Sequence, residues 1–176
     1  ELALLAICSW SVGAILYAAV GIFVAARLLL YPLRPTDLTP PYWVSMGATA
    51  ITVVAGARIV EMADAPMVVA TRGLIAGTSV VFWAFGSWLI LPLLAAGWWR
   101  HVVHRVPLKY EPTLWSMVFP LGMYGVAGQY LGQADRLPIV EGIGRAETWV
   151  ALAVWTVVFV AMLVHLARAA VRPQQG

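Results

Sequence analysis

Residues 2–30 read LALLAICSWSVGAILYAAVGIFVAARLLL. No charge interrupts residues 2–26, and Arg27 is the first to appear. As an α-helix, such a run is long enough to cross the roughly 30 Å hydrocarbon core of a bilayer. Pro32 and Pro35 then stop it. Four more apolar runs follow, at about residues 42–60, 78–99, 114–131 and 148–170. Pro40 and Pro41 open the second, suited to a helix start, and Arg58 and Glu61 close it. Arg100, His101, His104 and Arg105 close the third, and Arg168 and Arg172 the fifth. A further stretch, Met67 to Ala76, is apolar but holds Arg72. It reads either as an early extension of the third span or as an interfacial segment.

Composition agrees with this reading. Of 176 residues, 62% are hydrophobic and 11% charged, with a mean hydropathy of +0.85, which excludes a soluble enzyme. The single cysteine, Cys8, excludes a disulfide scaffold. The net charge of +3 comes from basic residues scattered at the ends of apolar runs, which argues against a nucleic-acid partner. Continuous apolar runs also argue against a membrane β-barrel, whose strands alternate apolar and polar positions. A helix satisfies its own backbone hydrogen bonds in lipid, so the expected fold is an all-α integral membrane domain of five spans. The chain opens on Glu1 with no basic leader or cleavage site before its first apolar run, and reads as a piece of a longer protein.

Aromatic residues sit at the span ends. Tyr42 and Trp43 open the second, Trp98 and Trp99 close the third, and Tyr110 and Trp115 flank the start of the fourth. With five spans, Arg27, Arg34, Arg100, Arg105, Lys109, Arg168 and Arg172 share one side. Arg58, Arg72, Arg136 and Arg145 share the other. The excess of basic residues places the C-terminus in the cytoplasm and Glu1 outside the cell membrane.

The spans are not alike. The first, third and fifth are long and dense in Leu, Val, Ile, Ala and Trp, as lipid-facing helices are. The second carries Ser45, Gly47, Thr49, Thr52 and Gly56. The fourth carries Ser116, Gly122, Gly125 and Gly128, with Pro120 among them. Small residues either let helices pack closely or line a wet path. Ser45, Thr49 and Thr52 share a face, as do the three glycines of the fourth span, and faces both small and polar favour a path. Pro120 lacks an N–H and clashes with the Ser116 carbonyl, so the fourth span is expected to kink there. Phe119 beside the kink is either an ordinary packed ring or a plug.

Two segments are recognisable. Pro41-Tyr42-Trp43-Val44-Ser45-Met46-Gly47-Ala48 resembles the opening of an inner helix in the tellurite-resistance/C4-dicarboxylate transporter family. Trp115-Ser116-Met117-Val118-Phe119-Pro120-Leu121-Gly122-Met123-Tyr124 resembles a later inner helix of the same family. This family, the voltage-dependent anion channel superfamily, includes a bacterial tellurite-resistance channel, a fungal malate permease, a sulfite efflux pump and plant guard-cell slow anion channels. The resemblance extends over all five spans by order and length. It implies a ten-helix channel of quasi-fivefold symmetry, of which this chain supplies helices six to ten. Spans two and four would stand in the inner ring, and the N-terminal helices of the same chain would complete the pore. It further implies that Phe119 is the pore gate, that Pro120 provides the kink beside it, and that the C-terminus is cytoplasmic. Bacterial members form trimers in which each subunit has its own pore, so a homotrimer is implied as well.

On this reading Ser45, Thr49, Thr52, Ser116 and Gly122 are the candidate pore-lining residues. Arg58, near the end of an inner helix, offers positive potential to an anion, unless Glu61 at i+3 simply pairs with it. The expected function is passage of small anions: inorganic anions, C4-dicarboxylates or sulfite. No cofactor, metal or enzyme activity is expected, since no paired acid–base or nucleophile motif lies within a span. The alternative is a haem-binding electron-transfer subunit using His104 and His165 as ligands.

Overall fold

A computed structural model describes residues 1–62 and 65–171. It contains five long helices and, among the described residues, no strand. They are α1 (Leu2–Leu30), α2 (Val44–Glu61), α3 (Pro66–Trp98), α4 (Trp115–Ala134) and α5 (Pro138–Val171). A 3-10 turn, Pro40–Trp43, leads into α2, and another, Pro112–Leu114, leads into α4. Each turn starts on a proline, which has no N–H to leave unpaired at a helix start. A π turn, Trp99–Val103, ends α3. Arg172, counted above among the basic residues of the C-terminal side, lies outside the described residues.

Two helices begin earlier than the apolar runs suggested. The helix of the third span starts at Pro66 instead of near Thr78, so Met67 to Ala76 is its first part. Val68 and Ile75 from this part are buried with Ile7 of α1 and Ile59 of α2. The fifth helix starts at Pro138 instead of near Thr148. Its first turns are rich in small and charged residues, which hide the helix from a hydropathy reading but suit a close contact with α4.

The turn between α4 and α5 is tight. The Leu137 N–H donates to the Gly132 carbonyl at 2.8 Å, and Asp135 N–H to Leu131 at 3.0 Å. Arg136 supplies the left-handed residue of this C-cap, with φ of 56°, where glycine is the usual occupant. The turn sends α5 back along α4, backbone against backbone. A Cβ on Gly144 would lie 2.6 Å from the Gln129 nitrogen and 2.7 Å from the Gly125 carbonyl oxygen. Gly128 and Gly132 face Gly144 and Glu141 just as closely.

Helices α2 and α4 are the inner pair. They run in the same direction: Gly47 meets Pro120 near their starts, and Arg58 meets Tyr130 near their ends. Met46, Ala50 and Val53 interlock with Leu121, Tyr124, Ala127 and Leu131 to form the main core. Half of the apolar stretch of α2 is buried, against none of α1, 6% of α3 and 11% of α5, which separates inner from outer helices. Outer side chains such as Phe23, Leu91 and Val157 stand exposed. That is the surface lipid would cover. Helix α1 packs lightly. It is tied to α2 by Trp10, whose Nε1 donates to the Thr52 carbonyl at 2.8 Å, and by Tyr17, whose hydroxyl donates to the Ser45 carbonyl at 3.2 Å.

Among the described residues, four helical segments are long and apolar enough to cross a membrane: Leu2–Leu30, Pro40–Glu61, Pro66–Val103 and Pro138–Ala170. Helix α4 is not among them. Its glycines and glutamines lower its hydropathy, which is tolerable for a helix flanked by protein. At the end of the bundle that holds the loop from α1 to α2, Arg100 donates to the carbonyls of Thr36 (3.1 Å) and Leu38 (2.9 Å). This pins that loop to the end of α3.

Candidate functional site

The residues that α2 and α4 leave uncovered form one stripe on each helix. On α2 they are Val44, Ile51 and Arg58, all exposed, with Ala48 and Ala55 half-buried between them. On α4 they are Phe119 and Gln133, exposed, with Gly122, Val126 and Tyr130 half-buried between them. The spacing of seven within each set keeps the residues on one side of a helix.

Phe119 is 49% exposed although it sits on the inner helix α4. Its neighbour Pro120 is fully buried against α2, where a Cβ on Gly47 would lie 3.0 Å from the proline ring. Pro120 thus wedges the helix crossing and removes one backbone hydrogen bond at the turn that presents the phenyl ring. Gly122 follows almost one turn later, and a Cβ there would meet nothing within 4 Å. Space therefore lies open beside the ring.

The other small and hydroxylated residues are placed differently. Thr49 is buried, 1% exposed, and its hydroxyl donates to the Met46 carbonyl at 2.6 Å. It faces Gly86 of α3, where a Cβ would lie 2.6 Å from its oxygen. Ser45 donates to Tyr42 and Thr52 to Ala48, each within its own helical segment. Both serine and threonine stand on the side of α2 that receives Tyr17 and Trp10 from α1. Ser116 is half-buried in the first turn of α4. Gly125 and Gly128 pack on α5, and Gly56 lies against Ser79 and Trp10. Of the three glycines that share spacing on the fourth span, Gly122 alone borders open space. Most small residues of the inner helices therefore serve close packing.

At the far end of the stripes stands a charged cluster. Arg58 donates through Nη1 to Glu61 at 3.0 Å and through Nη2 to the Tyr130 hydroxyl at 2.6 Å. Its guanidinium carbon also lies 4.1 Å from the centre of the Tyr130 ring. Arg58 borders a cavity of about 580 Å³ between α1 and α2, lined also by Trp10, Thr52 and Ala55. Tyr130 borders a second of about 280 Å³ with Val126, Gln129 and Gln133. Sequence reasoning paired Arg58 with Glu61 but missed Tyr130. The signal was present: Tyr130 lies eleven residues, three helical turns, beyond Phe119 on one face.

Two further polar contacts lie off the stripes. The Tyr124 and Ser87 hydroxyls are 2.6 Å apart and join α4 to α3. The histidines are engaged locally: His104 sits edge-on against Trp99 at 4.4 Å, and His165 lies 5.2 Å from the Tyr110 ring. Among the described residues, no three His, Cys, Asp or Glu side chains converge as a metal site would require.

The architecture is that of an all-helical membrane domain with two parallel inner helices, and a half-exposed aromatic ring and an arginine lie along their open face. The family profile of the voltage-dependent anion channel matches residues 1–163, and the chain belongs to that family. It is 76% identical over 152 residues to an uncharacterized membrane protein of Mycobacterium tuberculosis, covering 86% of this chain and 77% of that one. Two uncharacterized transporters of Methanocaldococcus jannaschii are 24% and 26% identical, over 86% of this chain and 42% and 43% of theirs. The chain thus spans less than half the length of the archaeal relatives. No solved structure matches it.

Proposed function

We propose that α2 and α4 form part of the wall of a path for small anions, with Phe119 as its gate. The observation that carries this reading is the exposure of Phe119. A ring on an inner helix is half uncovered, beside a buried proline and a glycine that leaves room next to it. In a bilayer no hydrophobic gain draws such a ring onto its own bundle, so what marks Phe119 is its helix: α4 is otherwise flanked by protein, and the uncovered ring faces whatever completes the assembly. A ring projecting into a lumen closed by further helices fits this position. We assign those helices to chain outside these residues, in the same protein or in another subunit of a homotrimer. The basic residues gathered around the loop tied by Arg100 support a cytoplasmic position for that end and for the C-terminus.

The transported anions are drawn from inorganic anions, C4-dicarboxylates and sulfite. Phe119 and Gly122 line the path. Ser45, Thr52 and Ser116 contribute at most at its margins, because the hydroxyls of Ser45 and Thr52 are already donated to their own helical segment. Removing the ring tests the proposal. In proteoliposomes holding the full-length protein, Phe119→Ala is expected to raise anion flux well above that of the parent. Silence of both proteins towards chloride, nitrate, sulfite and malate would overturn the reading.

A further inference from the structure

We infer that Arg58, Tyr130 and Glu61 make an anion site at the end of this path remote from Phe119, occupied by the protein's own Glu61 carboxylate when no anion is there. The inference rests on the reading of the open α2–α4 face as a path. Three observations define the site. The guanidinium is held at two points, with one terminal nitrogen on the Tyr130 hydroxyl at 2.6 Å and its carbon over the ring at 4.1 Å. This fixes an otherwise flexible side chain in one plane. The tyrosine oxygen accepts from Arg58, so its own proton remains to donate to an anion. Finally, Arg58 and Tyr130 stand at the ends of the uncovered stripes of α2 and α4, and Tyr130 borders a cavity there, so an anion can reach the pair from the open face.

Glu61 is the key to the ligand class. Its Oε2 sits 3.0 Å from Nη1, in the position an oxygen of a free carboxylate would take. A planar guanidinium matches the paired oxygens of carboxylates and oxyanions better than it matches a spherical halide. The site is therefore suited to a carboxylate or sulfite-like anion, which enters by displacing Glu61. With Glu61 seated, the cluster is neutral and does not hold an anion tightly, as a conducting path requires. Without Arg58, an entering anion would meet only the negative carboxylate.

A merely structural ion pair and a tethered-anion site predict different signs. Flux of labelled malate, sulfite and chloride is measured with the full-length protein in proteoliposomes, on the Phe119→Ala background so that the gate does not limit it. Arg58→Gln is expected to raise the half-saturating malate or sulfite concentration about ten-fold, the usual weight of one charged hydrogen bond. Glu61→Gln is expected to lower it several-fold, because the internal competitor is gone. Tyr130→Phe keeps the ring but loses the hydroxyl, and Arg58→Lys keeps the charge but loses the fork; each falls between the parent and Arg58→Gln. Chloride shifts less than malate in every variant. Melting temperatures in detergent show whether a variant is folded. If Arg58→Gln and Glu61→Gln shift the concentration in the same direction, or neither shifts it while Phe119→Ala conducts, the site is overturned and the path stands. If Phe119→Ala conducts nothing, the path and the site fall together.

Discussion

The glycine seam between α4 and α5 gives the sharpest test of how the bundle is held together. A Cβ added at Gly144 would lie 2.6 Å from the Gln129 nitrogen, 2.7 Å from the Gly125 oxygen and 2.8 Å from the Gly128 carbonyl carbon. All three are backbone atoms, so no rotamer change can relieve the contact. To restore ordinary separations the helices must part locally by about 0.8 Å, which weakens dispersion along the seam. Overpacking of this kind costs about 1–3 kcal/mol, occasionally more. Gly142 lies two residues away on the same helix, and a Cβ there meets nothing within 4 Å. Gly142→Ala should therefore show only the helix-propensity gain, up to about 1 kcal/mol of added stability. The propensity gain is common to both variants and cancels, so they should differ by the overpacking cost alone, roughly 1–3 kcal/mol. Reversible unfolding in mixed detergent–SDS micelles, followed by helical circular dichroism, measures that difference. If Gly144→Ala is as stable as Gly142→Ala, the close seam is wrong, and with it the placement of α5 on α4.

Two other predictions follow from the same geometry. Thr49→Val keeps the shape of a side chain whose hydroxyl serves only Met46, so anion flux should stay unchanged and stability fall by at most about 1 kcal/mol; a marked loss of flux would return Thr49 to the path. Asp135, in the turn after α4, has its carboxyl pushed above the ordinary value by burial. A raised acid favours the fold while protonated, so its contribution is complete below the ordinary carboxylate range and is lost as pH rises through the raised value. Asp135→Asn should flatten the pH dependence of melting across that interval, and an unchanged slope would refute the assignment.

Much of the architecture was legible in residue order. Continuous apolar runs cannot alternate as barrel strands do, and lipid forces their backbone into helices. The contrast between Leu-rich and Gly/Ser/Thr-rich spans separated α1, α3 and α5 from α2 and α4, because lipid-facing surfaces must be apolar while surfaces against protein need fit. Helix starts were less visible. Pro66 and Pro138 begin helices whose first turns carry Arg72 or Arg145, which broke the apolar run without breaking the helix.

What each small residue faces was decided by tertiary structure. A spacing of three or four places Gly122, Gly125 and Gly128 on neighbouring parts of a helix, yet a rotation of about 60° separates a seam from an open surface. Sequence spacing gives the angle but not the neighbour. The neighbour of Gly125 and Gly128 is α5, set there by the Asp135–Leu137 turn, while Gly122 has none. Tyr130 and Arg58 likewise meet only because α2 and α4 run side by side in the same direction. Their separation of 72 residues leaves no periodic trace. The sequence by itself determined that this chain is a bundle of membrane helices with two of them inside. Only packing decided which faces of those two are closed by protein and which are left open, because that depends on contacts between helices far apart in the chain.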